Sequence, residues 1–163
     1  MDRPIGRRAW FSALAGGVGL AAVACQSGAE STELNTPEGR VIQWQGDTML
    51  ILVAGLHDQY QVGDVIKFNV LLNNQSNQVV DAKVRSKLLG LGDQPVVQAE
   101  PVQLTVETQD ASNVDQELPT GNQLPPGDYT VSVEVPPWEV AGRETGSGAR
   151  LRAPIKVVPA SSG

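Results

Sequence analysis

The sequence predicts an all-β domain in which two antiparallel sheets of about seven strands in total pack face to face. Three observations lead there. Apolar and polar residues alternate with period two in run after run, and helical spacing does not recur. Clusters of Gly, Pro, Asn and Asp separate the runs. Each run has one apolar face, and such sheets bury that face against a second sheet.

The first two strands lie in RVIQWQGDTMLILVAG, residues 40–55, around a Gly46-Asp47 turn. Met49 to Val53 is apolar on both faces, as a central or covered strand is. In VIKFNVLLN, Ile66, Phe68, Val70 and Leu72 face one way, and Lys67, Asn69 and Asn73 the other. In VVDAKVRSKL, Val80, Ala82, Val84 and Leu88 point inward, and Asp81, Lys83, Arg85 and Lys87 outward. VQLTVE supplies Val102, Leu104 and Val106, and YTVSVEV supplies Tyr129, Val131, Val133 and Val135. LRAPIKV places Leu151, Ala153, Ile155 and Val157 inside, with Arg150, Arg152 and Lys156 outside. Pro154 cannot donate to a ladder, so this last strand is expected at an edge or with a bulge. Turns are signalled at Gly63-Asp64, Asn73-Asn74, Gly90 to Asp93 and Pro125-Pro126-Gly127.

Ahead of the strands the chain has another character. Arg3, Arg7 and Arg8 precede an uncharged run, residues 10–24, which ends in small residues before Cys25, the only cysteine. A positive start, a short apolar middle and a small-residue site form a secretory signal. The run has 15 residues, fewer than the ~20 a spanning helix needs. QSGAESTELNTPEG, residues 26–39, has little to bury and reads as a flexible tether with a reach of ~20 Å. The expected organisation is a signal peptide at 1–24, Cys25 and tether to residue 39, the sandwich at 40–158 and a disordered tail at 159–163.

Ala22-Val23-Ala24-Cys25 resembles the lipobox of bacterial lipoproteins. The resemblance implies that Cys25 is lipidated on sulfur and becomes the new N-terminus. The only cofactor-like group expected is thus covalent lipid, and acyl chains would hold the protein on the extracytoplasmic side of a membrane, in the cell envelope. Arg7-Arg8-Ala9-Trp10-Phe11 resembles a twin-arginine export motif, with an ordinary signal as the alternative.

Beyond Cys25 stand 138 of the 163 residues, enough for one core. They keep nine of the 12 basic and 17 of the 18 acidic residues, a net charge of −8 with His57 neutral. A chain this acidic is a poor binder of nucleic acid and of anionic lipid. No intramolecular disulfide is available, so the fold must stand on its core.

LPPGDYTVSVEV resembles the start of strand F in immunoglobulin-like and fibronectin type III domains. Leu124, Gly127 and Tyr129 match the pattern, which implies a tyrosine corner with the phenol bonded back to the backbone. VGDVIKFNVLLNN similarly looks like strand B of bacterial Ig-like envelope domains. The resemblance implies an Ig-like or fibronectin-like sandwich. It departs from antibody domains in lacking the disulfide and a Trp on strand C.

Catalytic constellations are scarce. His57 is the only histidine, and Asp58 beside it would point to the opposite face of a strand, so a surface-loop histidine is expected. One His, with Cys25 committed to lipid, cannot build a blue-copper or structural zinc site. ETQDASNVDQE gathers Glu107, Asp110, Asp115 and Glu117 without the calcium-loop spacing, and reads as a solvated acidic loop. VPPWEVAGRETGSGAR, residues 135–150, is longer than a hairpin needs. It is the candidate binding loop, with Trp138, Glu139 and Arg143, unless Trp138 folds back to cap the sandwich. Trp44 lies in a strand and is expected in the core.

The expected function is a non-catalytic binding or accessory role, with an envelope protein or a glycan as partner and no nucleic acid. A loop-presenting protease inhibitor is the alternative, and a hydrolase ranks behind it.

Overall fold

The structure, a computed structural model, describes residues 30–145 and 148–161. Cys25, Arg7, Arg8, Trp10 and Phe11 lie outside the described residues.

The chain forms β1 (Glu30–Thr36), β2 (Gly39–Gln45), β3 (Met49–Leu56), β4 (Gln59–Gln61), β5 (Val65–Asn74), β6 (Val80–Leu89), β7 (Pro95–Gln98), β8 (Val102–Val106), β9 (Ala111–Pro119), β10 (Gly127–Val135), β11 (Trp138–Val140), β12 (Arg143–Thr145) and β13 (Ala149–Val158). The first sheet runs β1-β2-β3-β5-β9 and is antiparallel throughout. In the second sheet β6 takes β7 and β8 along one edge and β10 and β11 along the other; β13 follows β10, and β4 closes the sheet parallel to β13. This is the expected all-β sandwich of two largely antiparallel sheets.

The expected count of about seven strands is exceeded for two reasons. Bulges divide some strands. From Glu134↔Arg85 to Glu139↔Asp81, five steps along β10–β11 pass four along β6, and Pro136-Pro137 occupy the interruption. Other strands are polar and gave no apolar run. β1 occupies half of the stretch expected as a tether, because its backbone completes the ladder on β2 over all seven residues. β9 replaces the expected acidic loop: Val114, Gln116 and Leu118 face inward opposite Val70, Phe68 and Ile66. Its acids point out, Asp115 accepting from Asn69 at 3.0 Å and Glu117 pairing with Lys67 at 3.1 Å. In the segment expected as a tail, the Ser161 hydroxyl accepts from Gln61 at 3.1 Å.

The core forms where the two inward faces meet. Ile42, Ile51, Val53, Ile66, Phe68, Val70 and Leu72 face Val84, Leu88, Val131, Val133, Leu151 and Ile155, all buried. Tyr129 makes the bond implied by the corner pattern, its hydroxyl donating to the Pro125 carbonyl at 2.7 Å. Leu124 is half-buried against the core, and Gly127 opens β10.

Two polar clusters hold the ends. At one end Asn74, fully buried, donates to the carbonyls of Gln78, Val106 and Glu107 at 2.7–3.1 Å, while its side-chain oxygen accepts from Ser76. This joins the β5–β6 turn to the β8–β9 turn. At the other end Arg40, 6% exposed, reaches from the first sheet into the second. Its guanidinium pairs with Glu33 at 3.3 Å and Asp58 at 3.0 Å and donates to the carbonyls of His57 and Pro154. Pro154 stands where β13 is an edge, because β4 pairs only from Lys156 onward. Lys156 N–H donates toward β4, to Asp58 O, so Pro154 two residues earlier turns the same way, toward the Arg40 side. The missing N–H therefore costs no ladder bond. His57 is exposed on the β3–β4 connection, as expected.

Replacing Arg40 with Met should cost about 3 kcal/mol in urea unfolding, because carboxylates and carbonyls lose their buried cation. Tyr60 supplies a second check. Its oxygen accepts from His57 N–H at 2.9 Å, and burial pushes its pKa above the ordinary tyrosine value. A raised folded-state pKa contributes stability below the unfolded value of about 10 and loses it as pH rises through the folded one. Stability should therefore fall above about pH 10, and less steeply in Tyr60→Phe.

Candidate functional site

Segment 135–150, expected as a long loop, is largely the outer half of a bulged hairpin. β11 and β12 turn through Ala141 (φ 51°) and Gly142 (φ 73°), the positive pair that a two-residue hairpin turn requires. Gly148 (φ 74°) makes the bulge possible, since a Cβ there would stand 2.6 Å from the Val135 carbonyl oxygen. Trp138 is 7% exposed and faces the core. Its ring meets Trp44 edge to face, centroids 6.0 Å apart at 81°. Trp44, buried as expected, in turn covers Gly46, where a Cβ would meet the indole at 2.5 Å. Trp138 thus caps the sandwich, while Glu139 and Arg143 stay exposed. Glu139 lies opposite Asp81 and Glu144, an unfavourable grouping of like charges.

The outer faces of the two sheets differ sharply. On the first, the register brings Leu34 beside Val41 and Val41 beside Ala54, and places Leu52 beside Leu71 with Leu50 further along β3. Leu34 is 47% exposed and the others half-buried by their in-sheet neighbours. Gln43, Asn69 and Asn73 interrupt the patch, and the charges Lys67 on β5 and Asp115 and Glu117 on β9 stand at its margin. Among the described residues, no strand lies over this face. The doubly apolar pattern of β3 is that of a central strand, and β3 is central. One of its two apolar faces nevertheless meets no described element.

The second sheet is dressed with cations. Of the nine basic residues beyond Cys25, six stand on its outer face: Lys83, Arg85, Lys87, Arg150, Arg152 and Lys156. Between β6 and β13, Lys87, Ser132, Glu134, Arg150 and Arg152 line an open groove of about 190 Å³, walled at one end by Leu89, Asp93 and Pro95. Glu134 holds Arg150 at 3.1 Å and Lys87 at 3.7 Å, and Arg152 pairs with Asp93. Ser132 is 1% exposed, and its hydroxyl has no hydrogen-bond partner. Alternation foretold the outward cations one strand at a time. Their convergence follows from the pairing of β6, β10 and β13, which the sequence does not display.

Among the described residues, no group of three His, Cys, Asp or Glu could hold a metal ion, and no helix is long and apolar enough to cross a membrane. No family model and no curated protein matches the chain. Among solved structures, it is similar to a β-glucosidase from Listeria innocua in complex with isofagomine at 14% identity and a TM-score of 0.48, over 69% of this chain and 16% of that one. It is also similar to a family 123 glycoside hydrolase from Clostridium perfringens at 12% identity and a TM-score of 0.47, over 66% of this chain and 24% of that one. The chain therefore spans a quarter or less of the enzymes it resembles.

Trp138→Ala should destabilise the domain by about 3–5 kcal/mol, the cost of emptying a core site of that size. Arg143→Ala, on the exposed tip, should change stability by less than about 0.5 kcal/mol. Thermal melts of the two variants side by side would check this difference.

Proposed function

We propose that this chain is a membrane-anchored extracytoplasmic lipoprotein with a non-catalytic, accessory role, binding another protein of the cell envelope through the outer face of its first sheet. The observation that carries the reading is the charge-free apolar patch of Leu34, Val41, Leu50, Leu52, Ala54 and Leu71. A sheet face turned to water ordinarily alternates to polar residues, and a contiguous apolar patch rimmed by Asn and Gln is the dress of an interface. Protein is favoured over glycan because no aromatic ring stands in the patch for a sugar to stack on. The anchor is the covalent lipid expected at Cys25.

Mild crosslinking on native membranes, followed by purification of the full-length chain, tests both parts. Wild type should capture a specific protein, and Leu52→Lys, with its fold intact by circular dichroism, should lose it. Equal capture by both would remove the face from consideration. Cys25→Ala should move the chain from the membrane to the soluble fraction, and its retention on the membrane would defeat the lipid anchor.

A further inference from the structure

The cationic groove of the second sheet lies on the opposite side of the domain from the apolar patch. Three features define what it would hold. The first is Ser132. An unpartnered buried hydroxyl is costly, and most buried polar side chains find a partner. This one lines the groove between the cationic side chains of Lys87 and Arg152.

The second is the manner in which Arg152 is occupied. Its partner Asp93 sits on the turn Leu91–Asp93, whose Gly92 (φ 67°) and Asp93 (φ 60°) are both left-handed. Asp93 adopts that conformation without being glycine, at a strain cost. The pair is well exposed, at 41% for Arg152 and 64% for Asp93, so water competes for it. Asp93 therefore occupies the guanidinium as an exchangeable carboxylate. Glu134, by contrast, is held from two sides by Lys87 and Arg150.

The third is the apolar wall. Leu89 and Pro95 border the groove, and Leu91 on the same turn is 97% exposed. The groove thus offers a fork for a carboxylate, a hydroxyl to support it and an apolar surface beside both. No aromatic residue lines it to seat a sugar ring.

We propose that this groove is a carboxylate-binding site for an acidic polypeptide segment. An Asp or Glu beside an apolar residue displaces Asp93 from Arg152, receives the Ser132 hydroxyl as donor and lays its apolar neighbour against Leu89 and Pro95. Arg is suited to this exchange because its planar fork takes a carboxylate in two parallel bonds.

The test uses the full-length chain in detergent and a short fluorescein-labelled peptide of Glu-Leu pairs spaced by Gly-Ser, read by polarisation. Polygalacturonate and inorganic phosphate serve as competitors. Binding should weaken by about tenfold in Arg152→Gln, and salt should weaken it further. Asp93→Asn should tighten it by several-fold, on the order of what one exposed ion pair withholds. Ser132→Ala should weaken it while thermal stability holds or rises. If Ser132→Ala raises stability but leaves binding unchanged, the hydroxyl is merely an unsatisfied atom and the proposal falls. It falls equally if Asp93→Asn weakens binding, if the peptide does not bind, or if polygalacturonate or phosphate competes as well as unlabelled peptide. None of these outcomes bears on capture through Leu52, which lies on the other sheet.

Discussion

One buried guanidinium holds the two sheets in register with each other. Arg40 sits on β2, in the first sheet, and its partners are distributed over three other parts of the fold: Glu33 on β1, His57 and Asp58 on the crossing from β3 to β4, and Pro154 on β13. A cation removed from water to this degree is tolerated only when it is surrounded by acceptors. That requirement runs backwards through the structure. β1 must lie where Glu33 can reach, the chain must leave the first sheet where Asp58 can reach, and β13 must present a carbonyl whose neighbouring N–H is not needed. Proline at 154 meets the last condition without loss.

The opposite end is closed by different chemistry serving the same purpose. Trp44 and Trp138 come from different sheets and meet edge to face, an arrangement favoured by the ring quadrupoles. Asn74 then ties two turns beside them through backbone carbonyls. With no disulfide among the described residues, these end closures and the apolar interior between them carry the fold. They also free both outer faces from any structural duty toward the core. One face is apolar and the other cationic, so the domain presents unlike surfaces on its two sides while its net charge stays negative.

Much of this was legible in the sequence, and what was not shares a physical cause. Wherever a strand is anchored by its own side chains, as Ile66 to Leu72 or Leu151 to Val157 are, alternation alone placed it and its inward face. β1 and β9 are held chiefly by ladder bonds to a neighbour, so their polar sequences, ESTELNT and ASNVDQELP, resemble linker and loop. The hairpin beyond Val135 was hidden by Pro136-Pro137, which reads as a break when taken alone and becomes a bulge once β6 is beside it. Arg40 looked like a boundary residue because burial of a charge is decided by groups far along the chain. The orphaned hydroxyl of Ser132 is illegible for the same reason: its surroundings come from β6 and β13, and serine in a strand is unremarkable by itself.

The position of β1 gives the domain a sidedness of another kind. Its outer edge is seven residues of backbone with no proline and no bulge, so alternate N–H and C=O groups point outward with no ladder partner among the described residues. The far edge of the second sheet is built the other way, with Pro95 and Pro101 withholding donors along β7 and the step to β8. An extended segment arriving from outside would therefore be accepted as a sixth strand on one margin and refused on the other. Strand addition at β1 would widen the apolar face while leaving the cationic one unchanged.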